Sequence, residues 1–276
     1  MGDYRQPVRL EEALEVLVRP YTVLSGGTDF YPARVGKAVD EDILDISRIK
    51  GLRGISSDGT GWRLGATTTW SELLAAELPP LFDGLKQAAR EVGGQQIQNA
   101  GTLAGNLCNA SPAADGVPPL LALDAEVELA SRDKVRRLPL SSFIVGNRRT
   151  QLLSDELLVA IHVPRPTTQA RSSFLKLGAR RYLVISIVMA AATVEIVEDR
   201  VQAARIAVGA CSAVAQRLPM LEVALAGEPL DARLAEKVQR AHLAPLTPIE
   251  DVRGSADYRL DVVVTLLRRL LAEVAS

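Results

Sequence analysis

Apolar residues at Leu10, Ala13, Leu14 and Leu17 recur at i, i+3, i+4 and i+7, which predicts an amphipathic helix. A short apolar strand follows at Tyr21–Leu24, with two more at Ile43–Ile46 and Trp62–Ala66. Thr69, with Glu72 three residues on, has the form of a capping box opening a helix through Leu73 and Leu74. A second helix is expected from about Leu81 to Val92. Apolar periodicity then stops. Gly93–Asn99 and Gly101–Asp115 are rich in glycines, amides and hydroxyls and read as one long polar loop, outside any core helix or strand. Ser111-Pro112 fits an N-cap with proline at the first helical position, continuing through Leu120–Leu123. Ala125–Ala130 alternates as a strand, and Leu157–Pro164 reads as a strand ending at proline.

The run Pro164–Ala170 has the character of a linker. Beyond it, Ile185–Val197 and Val201–Ala210 read as two strands joined at Glu198-Asp199-Arg200. Helices are expected at Met220–Ala226, Leu230–His242 and Tyr258–Val274; the last keeps Leu260, Val263, Leu267, Leu270, Leu271 and Val274 on one face. The first half therefore mixes strands and helices, and the second is a small antiparallel sheet with helices grouped on it.

A chain of 276 residues, 47% hydrophobic, is long enough for two domains with a sizeable core. Its 32 basic and 33 acidic residues leave a net charge of −1, against a general nucleic-acid binder. No apolar run reaches the length of a membrane span, and the N-terminus lacks the apolar core of a signal peptide. Cys108 and Cys211 show no metal or redox spacing, so a reducing cytoplasm is the expected location. His162 sits in an expected strand, in a structural role; His242 is expected on the polar face of a helix, at the surface. With only these two histidines, a Ser–His–Asp site or a His-ligated metal is disfavoured, and any redox chemistry must come from a cofactor.

Two segments carry candidate chemistry. Ser25-Gly26-Gly27-Thr28-Asp29 follows a strand directly, the arrangement of an anion nest that holds phosphate through backbone dipoles. In Gly101–Asp115, glycines permit close backbone approach, and Asn106, Asn109 and Ser111 offer donors and acceptors without fixed charge. Two such loops favour a large, extended ligand such as a dinucleotide. Neither Gly-x-Gly-x-x-Gly after a strand nor Gly-x-x-x-x-Gly-Lys-Ser/Thr is present.

Ser25–Asp29 and the run Gln96–Asp115 resemble the two FAD-binding loops of the FAD-binding (medium) subunits of molybdenum hydroxylases, the xanthine dehydrogenase and aerobic carbon monoxide dehydrogenase family. The resemblance extends over nearly the whole chain, through Leu10–Leu14, Leu64–Thr68, Phe174–Arg181 and Tyr258–Leu260. It implies an α+β fold: a two-part mixed α/β FAD-binding domain over residues 1–168 (subdomains about 1–53 and 54–168), then a C-terminal domain over 169–276. By resemblance, Leu24, Ser25, Gly26, Gly27, Thr28, Asp29 and Phe30 hold the FAD diphosphate. Thr102, Gly105, Asn106, Cys108 and Asp115 follow the ribityl chain and ring, and Leu158 and Lys176 flank the adenine end. Val92 stands where some relatives place an aromatic ring against the flavin. Leu103 and Ala104 replace the isoleucine and glycine of many relatives, and Arg180-Arg181 is followed by Tyr182-Leu183-Val184 rather than acidic residues. The family function implied is electron transfer. A partner large subunit carries a molybdenum cofactor, a small subunit carries two 2Fe–2S clusters, and FAD here passes electrons to an external acceptor. No catalytic side chain and no metal site is expected on this chain. A self-sufficient FAD oxidoreductase and a scaffold that has lost FAD are the rival classes.

Overall fold

The computed structural model describes residues 2–180 and 184–276. Arg181, Tyr182 and Leu183 of the basic motif therefore lie outside the described residues.

Three larger sheets and one small two-stranded hairpin, Ile144–Gly146 with Arg149–Thr150, organise the described residues. In the first, Tyr4–Arg5 and Thr22–Leu24 pair in parallel on either side of Ile43–Asp45. The helix Leu10–Val16 packs Ala13 and Leu14 on this sheet, together with Leu17, Leu44, Ile49 and Leu52. The second sheet is antiparallel, with Leu157–Pro164 at its centre between Gly61–Gly65 and Glu126–Ala130. A bulge between Leu158 and Ala160 adjusts its register. Leu157 and Val159 consequently seal the first core, while Leu158 and Ile161 enter the second.

The third sheet is antiparallel, in the order Gln169–Leu177, Val188–Val197, Arg200–Gly209, Gln216–Arg217. Glu198 and Asp199, both at positive φ (49° and 54°), make the two-residue hairpin turn between its long strands. Val188–Val197 is apolar on both faces, as a strand covered on both sides must be. Ala190, Ala192 and Val194 pack under the helix Ala256–Ala275 through Val263, Leu267 and Leu270. Met189 and Ala191 point the other way, into the core that holds Phe82, Leu85 and Leu103. Polar bonds line the same seam. Ser172 Oγ donates to Leu81 O (2.6 Å) and accepts from Gly84 N (2.8 Å), and Phe174 N donates to Gln87 Oε1 (2.6 Å).

The structure corrects four expectations. The polar run is not one loop: Gln95–Ala100 and Leu103–Asn109 are helices, and Leu103 and Leu107 are fully buried. The next helix starts at Val117 rather than Ser111, with Pro118 and Pro119 in its first turn; Ser111-Pro112 belongs to a preceding turn. Leu230–His242 resolves into two 3-10 segments, Ala232–Lys237 and Arg240–Leu243. His242 is buried, and its Nδ1 accepts from Gln239 N at 3.2 Å. His162 takes the structural role expected of it, with Nε2 2.9 Å from Glu128 Oε2.

Candidate functional site

The strand Thr22–Leu24 lies at the edge of the parallel sheet, and Ile46 N donates to Leu24 O (2.9 Å) where it ends. Gly27 turns the chain at φ 71°, which glycine adopts without penalty, and Tyr31 N donates back to Gly27 O (3.1 Å). Between these anchors, the amides from Ser25 to Asp29 donate to no backbone acceptor among the described residues. Ser25 Oγ is buried and has no partner among the described residues. Buried groups of this kind are normally satisfied, so this loop presents donors to something beyond the chain.

The second segment is pinned at its middle. Trp70 N donates to Gly101 O (3.2 Å) and Leu103 N to Thr68 O (3.0 Å), holding the break between the two short helices. Thr102 caps the second helix, its hydroxyl accepting from Gly105 N (3.1 Å). At the other end Ala110 closes the helix at φ 46°, and Arg148 N donates to Ala110 O (2.9 Å). The two segments touch: a Cβ on Gly26 would stand 1.9 Å from Ala100 O. Only glycine permits that approach.

Between them lies a cleft of about 590 Å³, within the range of a cofactor site. Leu24, Ser25, Gly26, Gly27, Thr28, Asp29, Phe30, Thr102, Gly105, Asn106, Cys108 and Leu158 all line it, as does Val92. Asp115 and Lys176 do not line it. They form a buried ion pair at 2.9 Å, and Ser186 Oγ donates to the second carboxylate oxygen (2.8 Å). Burial pushes the Asp115 carboxyl above the usual carboxylate range, against the pull of Lys176 and Ser186.

Arg34, Arg148 and Trp70 also line the cleft and had no signal in the sequence. Arg34 lies 3.8 Å over the Phe30 ring and 2.5 Å from Glu41. The Thr22 hydroxyl, and after it Arg34, holds the Glu41 carboxyl below its ordinary value. Arg148, at φ 56° in a hairpin turn, donates to Asn109 Oδ1 across the rim. Cys108 is exposed to the cleft but ringed by protein, and that desolvation pushes its thiol up to about 12, so it is neutral. Among the described residues no three His, Cys, Asp or Glu side chains group as metal ligands. The Ser25 hydroxyl and loop amides, unpartnered among the described residues, and the glycine contact fit the diphosphate of a dinucleotide.

Fold and cleft together have the form of a flavoprotein component. Residues 1–166 match the FAD binding domain in molybdopterin dehydrogenase, and residues 173–274 match the CO dehydrogenase flavoprotein C-terminal domain. The chain is 30% identical to the putative xanthine dehydrogenase FAD-binding subunit of Escherichia coli, over 100% of this chain and 96% of that one. It is 29% identical to the nicotine 6-hydroxylase medium subunit of Paenarthrobacter nicotinovorans, over 99% and 97% of the two chains. Quinoline 2-oxidoreductase from Pseudomonas putida has a chain that superposes with a TM-score of 0.90 at 27% identity, over 100% of this chain and 97% of that one. The chain belongs to the FAD-binding subunits of the molybdenum hydroxylases, and is a component of an oxidoreductase.

Proposed function

We propose that this chain relays electrons from two 2Fe–2S clusters on a small partner subunit, fed by a molybdenum-cofactor large subunit, to an external acceptor. It acts in the cytoplasm, in keeping with its two free cysteines. Bound FAD would supply the redox chemistry. The chain itself binds and orients. The amides from Ser25 to Asp29, with the Ser25 and Thr28 hydroxyls, hold the diphosphate, and Leu24 and Phe30 flank it. Thr102, Gly105, Asn106 and Cys108 form the wall along the ribityl chain and ring, and Leu158 bounds the adenine end. Asp115 and Lys176 support this wall from behind. The FAD-binding and C-terminal domains divide near residue 168. The observation that carries the reading is the row of unsatisfied donors at Ser25–Asp29, set against the second segment through Gly26.

Co-purification from the native source tests the relay. Flavin, iron and molybdenum are expected to elute together in fixed proportion. A yellow protein that turns over substrate without partners would defeat the reading, as would a colourless chain that takes up no added FAD.

A further inference from the structure

The Trp70 ring meets the chain on both sides of the helix Leu103–Asn109. A Cβ on Gly101 would stand 3.3 Å from Trp70 Cδ1, and a Cβ on Gly116 would stand 2.7 Å from Trp70 Cη2. The pyrrole edge of the indole thus lies against the residue two before the helix, and the benzene edge against Gly116 beyond it. Both glycines sit at negative φ (−63° and −77°), which any residue adopts. Backbone conformation does not call for glycine there; crowding does, by the ring at both and also by Ile97 O (2.9 Å) at Gly101 and Asn106 Oδ1 (2.8 Å) at Gly116.

The ring itself is held firmly. Trp70 opens the helix Trp70–Ala75 behind the capping box of Thr69 and Glu72, and Thr69 bridges to Thr102. The side chain is 2% exposed, yet it lines the cleft. Interiors are close-packed, so a rigid ring gripped at both edges fixes the distance between the backbones it touches. Those backbones continue straight into the site. Ala100, before Gly101, carries the carbonyl that meets Gly26, and Gly116 N donates to Asn106 Oδ1 (3.2 Å). Gly26 and Asn106 both line the cleft. We propose that Trp70 is a positioning residue: a spacer whose ring sets the gap between the Ser25–Asp29 loop and the Thr102–Asn106 wall to seat a diphosphate. This rests on the cleft being the FAD site.

The test is titration of the full chain with FAD and with ADP, which shares the diphosphate, together with phosphorus NMR of bound FAD. Trp70→Leu is expected to weaken both ligands roughly tenfold, and Trp70→Phe about threefold. The phosphorus resonances of bound FAD shift in the same order. Gly116→Ala, which presses a methyl on the ring and on Asn106, weakens both ligands about fivefold. In Trp70→Leu/Gly116→Ala the losses are less than additive, because the methyl enters space the ring has left. FAD affinity unchanged in Trp70→Leu overturns the spacer. Weaker binding with the phosphorus resonances unmoved makes the ring merely structural, and fully additive losses in the double variant separate the ring from Gly116; either overturns it. If Trp70→Leu does not fold, Trp70→Phe and Gly116→Ala carry the same comparison. A wild-type chain that takes up no FAD removes the reading beneath the spacer, and the spacer with it, before any variant is made.

Discussion

The cleft and the domain seam use similar materials to opposite ends. At the cleft, the amides of Ser25–Asp29 find no backbone partner and the Ser25 hydroxyl no partner at all among the described residues. At the seam, Ser172, Ser173, Gln87, Arg205 and Arg217 find one each time, down to Arg205 Nε on Ala122 O (3.0 Å) and Arg217 Nη1 on Asp124 Oδ1 (2.7 Å). Satisfied polar groups lock two bodies together, and unsatisfied ones wait for a ligand. Substitutions at the two regions should therefore separate into losses of stability and losses of affinity.

The largest effect is expected at Arg259, which is buried and donates to Ile187 O, Ala210 O and Asp251. Arg259→Leu strands these acceptors and should lower unfolding stability by about 3 kcal/mol, read from the urea midpoint. Gly26→Ala drives a methyl into Ala100 O. It should weaken FAD roughly a hundredfold by fluorescence titration, about 2.7 kcal/mol, and also lower the apo-protein melting point, because the clash is with backbone. Gln87→Ala releases Phe174 N and Ser173 Oγ and should lower stability by about 1–2 kcal/mol while leaving FAD affinity in place. Ser25→Ala should do the reverse, costing FAD affinity about threefold and leaving the apo melting point level or slightly raised.

The smallest effect is a pH dependence. Burial, then Arg137, holds the His162 imidazole below its ordinary 6.5, against the pull of Glu128. The folded state thus binds fewer protons, and stability is complete above about 6.5, falling as the pH drops below it. His162→Gln should flatten that slope in melts from pH 7 to 5.

Long periodic elements were legible in the sequence. The capping box at Thr69 and Glu72 forms as read, and the last helix keeps its apolar face inward. Gly93–Asp115 was misread because its glycines and amides dilute the periodicity; Leu103, Ala104 and Leu107 still make a buried helical face. The first loop was readable because strand, glycines and hydroxyl stand side by side. Arg34, Arg148 and Trp70 reach the cleft only through tertiary folding, from a 3-10 turn, a hairpin and a helix start. Asp115 and Lys176 stand 61 positions apart, and nothing local announces that each is the other's partner.

The strand Val188–Val197 shows Met189 and Ala191 to one core and Ala190, Ala192 and Val194 to another. A party wall of this kind cannot be sold with one house. Cutting the chain at 165–168 would leave each half with a wet, apolar flank, so nicked fragments should stay together until denatured. For the same reason the two halves can be exchanged between proteins only as a pair, whatever enzyme they serve.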